Sequence, residues 1–171
     1  MTERTDIAQR KAVNGLVGTF RHSLDPKKRL TIPSEWREVL GNPSYIYVMP
    51  SASEDCLELV PAELMERTVA RYQAADLLDE DADNDAQAIG EISQMLKIDS
   101  AGRVRICDEL LRHAGVEGGI TLIGCMRKAR LWAAERKPVK PDGKIDLSAF
   151  RAVVEKRKKM ARKERKEPEE P

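Results

Sequence analysis

The chain has 171 residues, of which 41% are apolar, so it is long enough to bury a hydrophobic core in one domain or in two small ones. Its formal net charge of +1 hides a separation of charge, because residues 72–96 contain seven acids and no Lys or Arg, whereas the stretch from Lys156 to Lys166 is mostly basic. The near-neutral total therefore does not exclude a polyanionic partner.

Several classes of protein are disfavoured by the sequence. No segment approaches the roughly 18 apolar residues that a membrane helix needs, and the N-terminal residues carry no apolar stretch after their charges, so we expect a cytoplasmic protein without membrane contact. The three cysteines, Cys56, Cys107 and Cys125, are odd in number and lack CxxC spacing, which indicates reduced thiols. We predict no metal, no cofactor and no small-molecule substrate, and no phosphate-binding loop or nucleophile motif is found.

Residues 15–61 predict a first β-β-α-β-β unit after an N-terminal extension over residues 1–14. Phe20–Leu24 predicts a strand, and Asp25-Pro26 fits the start of a tight turn, because Asp accepts backbone hydrogen bonds and Pro fixes φ at about −65°. Leu30–Ile32 alternates apolar and polar residues, so the two strands predict a hairpin. The unit is completed by a short helix capped at Pro33-Ser34 and ending at Gly41, and by strands over Tyr45–Met49 and Cys56–Val60.

Residues 62–92 predict a helical and acidic connection. A helix is expected from Pro61 to about Leu78, since apolar residues recur along one side. The acidic run that follows is interpreted as a solvated connection, and Asp85 is the predicted N-cap of a further helix that reaches Ile92.

Residues 93–136 echo the first unit. The stretch IDSAGRVRICDELLRHAG aligns without gaps to LDPKKRLTIPSEWREVLG, 74 positions earlier. Chance gives about one identity in eighteen at ordinary amino-acid frequencies, so a shared supersecondary unit is indicated. The identical pairs are Asp25 and Asp99, Arg29 and Arg103, Ile32 and Ile106, Glu35 and Glu109, and Gly41 and Gly115.

The second unit is expected to contain the same elements as the first. Its predicted turn is DSAG, with Gly102 in the fourth position, and its helix begins at a cap formed by Cys107-Asp108. The predicted strands are Met95–Ile98, Val104–Ile106, Ile120–Ile123 and Ala129–Trp132.

Residues 137–171 form a predicted linker and charged tail. The linker is rich in Pro and Gly, and the tail has a few apolar residues, Leu147, Phe150, Val153 and Val154, followed by a basic run. The basic run is interpreted as a solvated charged segment, and auxiliary nonspecific DNA binding is the alternative.

Residues 15 to 136 resemble, in order, the two halves of the MraZ family of transcription factors, which have tandem AbrB-like modules. The segments that carry the resemblance are GTFRHSLDPKKRLTIPSEWREVL, DCLELVPAE, IDSAGRVRICDELLRHAGV and ITLIGCMRKARLW, with a D-x-x-x-R turn in each half. The resemblance implies an α+β, mainly β fold, in which two swapped-hairpin units form a compact β-barrel-like domain with peripheral helices. It also implies a ring-shaped homo-oligomer that binds double-stranded DNA at direct repeats upstream of the bacterial division and cell-wall gene cluster, as a nucleoid-associated repressor in the cytoplasm.

The resemblance assigns DNA contact to Arg29, with Arg103 as its counterpart. An Arg at the end of a two-stranded ribbon can bond to guanine in the major groove, and Lys27 and Lys28 beside it suit phosphate contact. Asp25, Asp99 and Gly102 are assigned to forming the turns and orienting the arginines. The family pattern has Gly where this chain has Lys28, which is strained if that position needs a positive φ, so the type of this turn is left open.

Alternatives remain at the level of sequence. Each Asp and Arg could simply hydrogen-bond to each other and hold the turn. The whole chain could instead be an antitoxin-like dimer or a protein-interaction scaffold with secondary DNA binding. An enzyme that uses Cys56 or Cys107 with His22 or His113 is the least favoured alternative, and we predict no enzymatic activity. Trp36 and Trp132 are expected in the core or at a subunit interface.

Overall fold

The computed structural model describes residues 15–137 and 146–164, which belong to two separate units. The first unit contains two halves with the same order of elements, β-β-α-β-β, joined by two helices, and the predicted α+β class is confirmed. The elements of the first unit are β1 (Thr19–Ser23), β2 (Arg29–Thr31), α1 (Ser34–Val39), β3 (Tyr45–Pro50), β4 (Leu57–Pro61), α2 (Ala62–Gln73), α3 (Glu80–Ile92), β5 (Gln94–Lys97), β6 (Arg103–Arg105), α4 (Asp108–His113), β7 (Gly119–Gly124) and β8 (Ala129–Ala133). The second unit is described by α5 (Ser148–Glu164).

Six strands of the first unit form one antiparallel sheet in the order β1-β7-β8-β4-β3-β5. Within residues 15–137 this sheet is open, because β1 and β5 are its edges and do not pair with each other. The prediction of a barrel-like domain is therefore wrong as regards closure. The two edge strands come from different halves of the chain, and each pairs with a strand of the opposite half.

The remaining two strands, β2 and β6, form a separate two-stranded ribbon. Their register places Leu30 opposite Val104, Arg29 opposite Arg105 and Thr31 opposite Arg103. The sequence predicted that each turn joins the two arms of a local hairpin. The turns form, but β1 pairs with β7 and β2 pairs with β6, so the predicted strand pairing is wrong.

The hydrophobic core unites the two halves. Side chains alternate between the two faces of the ribbon, so Leu30 and Val104 point inward and are 0% and 1% exposed. The polar residues on either side of each point outward. Trp36 on α1 is buried beside Phe20, with ring centroids 5.1 Å apart, and its indole N–H donates to the carbonyl of Val17. Trp132 is also buried, so the prediction that both tryptophans lie in the core or an interface holds within this unit.

The connecting helices differ from their predicted bounds. α2 ends at Gln73 and not at Leu78. α3 begins within the acidic run, where the carboxylate of Asp79 accepts a hydrogen bond from the Ala82 N–H, so Asp79 is the cap that was assigned to Asp85. The predicted end of this helix at Ile92 is confirmed.

The two short helices begin at the predicted positions, Pro33-Ser34 and Cys107-Asp108, but without side-chain caps. α1 and α4 have Pro33 and Cys107 at their N-cap positions, and neither helix has a side-chain cap. Ser34 and Asp108 are already the first helical residues, and Asp108 instead binds two basic side chains of the ribbon region. The N-terminal extension, residues 1–14, and most of the predicted linker, residues 138–145, lie outside the described residues.

None of the helices in the described ranges is long and apolar enough to cross a membrane. The same ranges contain no group of three or more His, Cys, Asp or Glu side chains that could hold a metal ion. The three cysteines are free thiols, and Cys56 is fully buried, which raises the pKa of its thiol.

Candidate nucleic-acid interface

The first D-x-x-x-R turn is held by the carboxylate of Asp25. Its Oδ1 accepts hydrogen bonds from the backbone N–H of Lys27 and of Arg29, both at 2.9 Å. The backbone closes the same loop, because the Lys28 N–H donates to the Asp25 carbonyl at 2.8 Å and the Asp25 N–H donates to the Arg29 carbonyl at 3.0 Å. The turn predicted from Asp25-Pro26 is thus present, and its Asp acts on the backbone as expected.

The second turn repeats this arrangement bond for bond. Asp99 Oδ1 accepts from the N–H of Ala101 and of Arg103, both at 2.9 Å. The Gly102 N–H donates to the Asp99 carbonyl at 2.8 Å, and the Asp99 N–H donates to the Arg103 carbonyl at 2.9 Å. The two sequence motifs therefore specify one local structure, as the alignment predicted.

The fourth position of each turn lies in the left-handed region. Gly102 has a φ of 76°, and Lys28 has a φ of 55° at the equivalent position. Gly adopts this conformation freely, whereas an L-residue there costs about 1 to 2 kcal/mol. The turn left open by the sequence is therefore of the same type as its counterpart, and Lys28 keeps it under strain.

The two turns meet through their arginines. Arg29 Nε donates to Asp25 Oδ2 at 2.7 Å, its Nη2 lies 2.7 Å from the same oxygen, and its Nη1 lies 3.6 Å from Asp99 Oδ2. Arg103 Nε donates to Asp99 Oδ2 at 2.8 Å. Asp99 thus serves both arginines, and Arg29 spans the two halves of the chain. This geometry shows the alternative in which the Asp and the Arg of each turn hydrogen-bond to each other.

Neither arginine is buried away from solvent. The side chains of Arg29 and Arg103 are 26% and 34% exposed, and their carboxylate partners Asp25 and Asp99 are 25% and 33% exposed. Within residues 15–137 and 146–164, the guanidinium of Arg103 pairs with one acidic residue, Asp99, whereas the guanidinium of Arg29 lies near two, Asp25 and Asp99. The two equivalent arginines therefore differ in how freely they can bind another group.

The outer face of the ribbon carries further basic side chains. Arg105 points outward on β6, opposite Arg29, and its Nη1 donates to the carbonyl of Ile106 at 2.7 Å and to Asp108 Oδ1 at 3.3 Å. The Lys28 ammonium lies 3.1 Å from the same carboxylate oxygen. Like charges directly opposite each other destabilise a strand pair, so the carboxylates beside the ribbon make this concentration of arginines tolerable.

Three carboxylates beside the ribbon stay ionised at neutral pH. The hydrogen bond from the Arg29 backbone N–H, followed by those from its side chain, holds the pKa of Asp25 below its usual value of 3.8. The Arg103 backbone N–H does the same for the pKa of Asp99, and the Lys28 ammonium does so for the pKa of Asp108.

We define the basic ribbon face as Lys27, Lys28, Arg29, Arg103 and Arg105. These five cations adjoin three acids, so the face carries a net charge of +2. Lys27 is exposed, and its ammonium has no acidic partner in the described part of the chain. Such a face can attract phosphate through Lys27 and can offer guanidinium donors to the edge of a base.

The sequence prediction missed two residues of this region. Arg105 follows Arg103 by two positions on the same strand, so strand alternation alone could have placed it on the outer face. Arg37 was not predictable in this way, because its guanidinium packs against Gly102 from the other half of the chain. A Cβ at Gly102 would lie 2.5 Å from Arg37 Cζ, and Arg37 Nε donates to the Ile32 carbonyl at 3.3 Å.

Comparison with known proteins decides the family. A scan against models of protein families finds no match to the chain. The transcriptional regulator MraZ of Azorhizobium caulinodans is 33% identical over 125 residues, which cover 70% of this chain and 78% of the relative. The chain belongs to the MraZ family. The MraZ proteins of Clostridium beijerinckii, at 26% identity over 82% of this chain and 94% of the relative, and of Xanthobacter autotrophicus, at 31% over 70% and 78%, agree with this assignment.

Membership of the MraZ family confirms the resemblance carried by the two D-x-x-x-R motifs. The relatives are named as transcriptional regulators and not as enzymes, which fits a regulator without catalytic activity. The assignment of this MraZ-family chain as a transcriptional regulator therefore rests on related sequences.

Proposed function

We propose that this MraZ-family regulator binds double-stranded DNA through the basic ribbon face. The observation that carries the proposal is the two-stranded ribbon β2/β6, whose inner residues are buried in the core and whose outer residues, apart from Thr31, are arginines. A two-stranded ribbon has the width that the major groove of B-DNA admits. Because its two strands come from opposite halves, a single subunit presents both arginine turns at one place.

The two arginines have different roles in this proposal. Arg103 pairs with a single carboxylate, that of Asp99, through Nε, which orients its side chain for a bidentate contact to guanine O6 and N7. Arg29 is held by Asp25 and faces Asp99, so it acts first as the clamp between the turns and contacts DNA in addition. Lys27 and Lys28 contact phosphates and position the ribbon without reading sequence.

The proposal extends to the arrangement of subunits and the target. Antiparallel pairing of β1 with β7 and of β5 with β3, in addition to the ribbon itself, supports an interleaved, swapped-hairpin description of the two halves. One ribbon gives too few contacts for a specific site, whereas a ring-shaped homo-oligomer presenting several ribbons gains affinity at direct repeats whose spacing matches the subunits. Such a protein acts on promoter repeats of the division and cell-wall gene cluster as a repressor, in the cytoplasm and on the nucleoid.

The test is the affinity of variants for the DNA upstream of the protein's own gene, with its repeats intact or scrambled. We expect Arg103→Ala to weaken binding to intact repeats by roughly 10- to 100-fold, since a bidentate Arg–guanine contact contributes about 1 to 3 kcal/mol, and to change binding to scrambled DNA little. Arg67→Ala is the matched control, because Arg67 is an exposed arginine on α2 that pairs with Glu63.

The outcomes separate the roles of the residues. Equal weakening on both DNAs makes Arg103 a phosphate contact only. If neither Arg103→Ala nor Arg29→Ala changes affinity beyond the Arg67→Ala control, the ribbon is not the interface.

A protein-interaction scaffold is the second candidate function, and one observation favours it. Leu77 and Leu78, between α2 and α3, are 90% and 84% exposed next to a strongly acidic segment. Contiguous exposed apolar patches mark contact surfaces for other proteins, and these two adjacent leucines would contribute apolar area to such a patch. If scaffolding is the main role, Leu77→Ser/Leu78→Ser abolishes regulation in cells while leaving DNA affinity unchanged, and Arg103→Ala has no regulatory effect.

A further inference from the structure

Helix α5 is an exposed basic helix that the proposed function does not use. Its first turn is supported by Asp146, whose Oδ1 accepts from the N–H and the hydroxyl of Ser148 at 2.9 and 2.6 Å. Residues 148–161 contain five Lys or Arg and one Glu, a net charge of +4 over 14 positions. Every one of these residues except Val154 is exposed.

The cations of α5 are available for a partner. Lys158 lies 3.3 Å from Glu155, and this is the one ion pair within the described part of the helix. The other four cations, Arg151, Lys156, Arg157 and Lys159, have no acidic partner among the described residues. Uncompensated charge at this density is unfavourable in isolation, and an anionic ligand relieves it.

The first unit has more acidic than basic residues. Residues 15–137 contain 16 Lys and Arg against 20 Asp and Glu, a net charge of −4. DNA affinity depends on the number of phosphates that Lys and Arg neutralise, and the basic ribbon face offers few cations free of an acid. The first unit alone therefore approaches DNA with an overall repulsion.

The arrangement of charges along α5 favours a nucleic acid over a lipid surface. Leu147, Phe150 and Val154 form an apolar stripe at helical spacing, but Arg157 takes its next position, so the stripe covers only two turns. The four successive cations 156–159 then point to all sides of the helix, at about 100° per residue. A membrane-surface helix needs an apolar face along its whole length. The turn of α5 that contains residues 156–159 has no such face.

We propose that α5 binds the phosphate backbone of DNA through these cations and supplies sequence-independent affinity. The inference rests on the proposed DNA binding and deepens it, because the two surfaces then have separate roles. The ribbon discriminates between sequences, and α5 raises affinity for all of them. Neutralised phosphates release counterions, so each α5 contact adds about 0.9 to the steepness with which log K falls with log salt concentration.

The experiment uses the full-length chain carrying Lys156→Gln, Arg157→Gln, Lys158→Gln and Lys159→Gln together. Gln preserves helix propensity, and circular dichroism verifies that the helix content is unchanged. The affinity for repeat and for random DNA is measured by fluorescence anisotropy between about 50 and 200 mM salt. We expect the salt slope to become shallower by about 2 to 4, and affinity at low salt to fall by the same factor on both DNAs.

Control variants distinguish this inference from its rivals and from failure of the proposed function. Lys156→Arg/Lys158→Arg/Lys159→Arg keeps the charge and should keep the slope, and Phe150→Ser should leave DNA binding unchanged. An unchanged slope in the quadruple Gln variant overturns the inference. So does binding of the wild type to phosphatidylglycerol vesicles that Phe150→Ser abolishes, combined with unaltered DNA affinity. Loss of the repeat preference alone, as expected for Arg103→Ala, bears on the ribbon and leaves the α5 proposal standing.

Discussion

Arg29 and Asp99 face each other across the two halves of the chain, with Arg29 NH1 3.6 Å from Asp99 Oδ2. Asp99 also holds Arg103 and the backbone of its own turn, so one carboxylate links both D-x-x-x-R motifs. A single subunit therefore assembles its two arginine turns into one surface. The protonation state of Asp25 and Asp99 controls how firmly both arginines are held.

Acid should loosen this surface. The pKa of Asp25 and of Asp99 is below 3.8 in the folded protein. As the pH falls, these two carboxylates therefore become protonated in the unfolded chain before they do so in the folded protein. The stabilisation is therefore complete above about pH 4 and is lost as the pH falls through the lower folded pKa. Urea unfolding between about pH 2 and 7 should show a steep acid limb, which is flatter in Asp25→Asn/Asp99→Asn.

The double variant Asp25→Asn/Asp99→Asn can also contradict this prediction. If the double Asn variant keeps the full steepness of the wild-type acid limb, other carboxylates dominate acid unfolding and these two do not hold the turns. Glu63→Gln is a matched control, because Glu63 is an exposed acid of α2 that pairs only with Arg67 among the described residues.

Replacement of Gly102 should destabilise the protein. Gly102 has a φ of 76°, and a Cβ there would lie 2.5 Å from Arg37 Cζ, so Gly102→Ala has to strain the backbone and displace Arg37. We expect a loss of about 1 to 2 kcal/mol in the free energy of unfolding. Gly90→Ala is the control with opposite sign, since Gly90 lies in α3 with open space around it and should gain about 0.5 to 1 kcal/mol.

Local chemistry was readable from the sequence, and long-range pairing was not. Asp25 and Asp99 were predicted as turn formers because a carboxylate in the first turn position has donors within four residues, and alternation correctly marked Leu30 and Val104 as buried. Nothing local could tell that the strand carrying Leu30 pairs with the strand carrying Val104. The strands on either side of each turn alternate apolar and polar residues in the same way, whichever strand they pair with.

The misplaced cap of α3 has a different cause. The acidic run offers several Asp residues as N-caps, and α3 contains no buried residue, so no apolar pattern marks whether it begins after Asp79 or after Asp85. The role of Asp108 was missed because its partners, Lys28 and Arg105, include a residue 80 positions away. The arginine turns were thus predictable as elements, while their assembly into one basic face needed the fold.

We expect Lys28 to lower the stability of the protein while it adds a positive charge to the basic ribbon face. Its φ of 55° strains the first turn, and its exposed pair with Asp108 adds little stability. Lys28→Gly and Lys28→Ala remove the same charge, but only Gly relieves the backbone, so Gly should be more stable than Ala by about 1 kcal/mol in urea unfolding. Both variants should weaken binding to repeat and random DNA to the same small extent, as expected for a phosphate contact. Equal stabilities of the two variants would show that the turn relaxes without the left-handed conformation.

The two halves should unfold together. Leu30 is 0% exposed and lies opposite Val104 on the partner strand from the other half, so Leu30→Ala leaves a cavity that both halves line. We expect a loss of about 2 to 5 kcal/mol in the free energy of unfolding, with a single transition. Thr31→Ala, one position along and exposed, should change stability by less than about 0.5 kcal/mol. Native-state hydrogen exchange followed by mass spectrometry is the decisive measurement, because Leu30→Ala should reduce amide protection in β7 and β8 as much as in β3 and β4. Loss of protection confined to residues 15–61 would mean that each half is an independent cooperative unit, in conflict with strand pairing that crosses between halves.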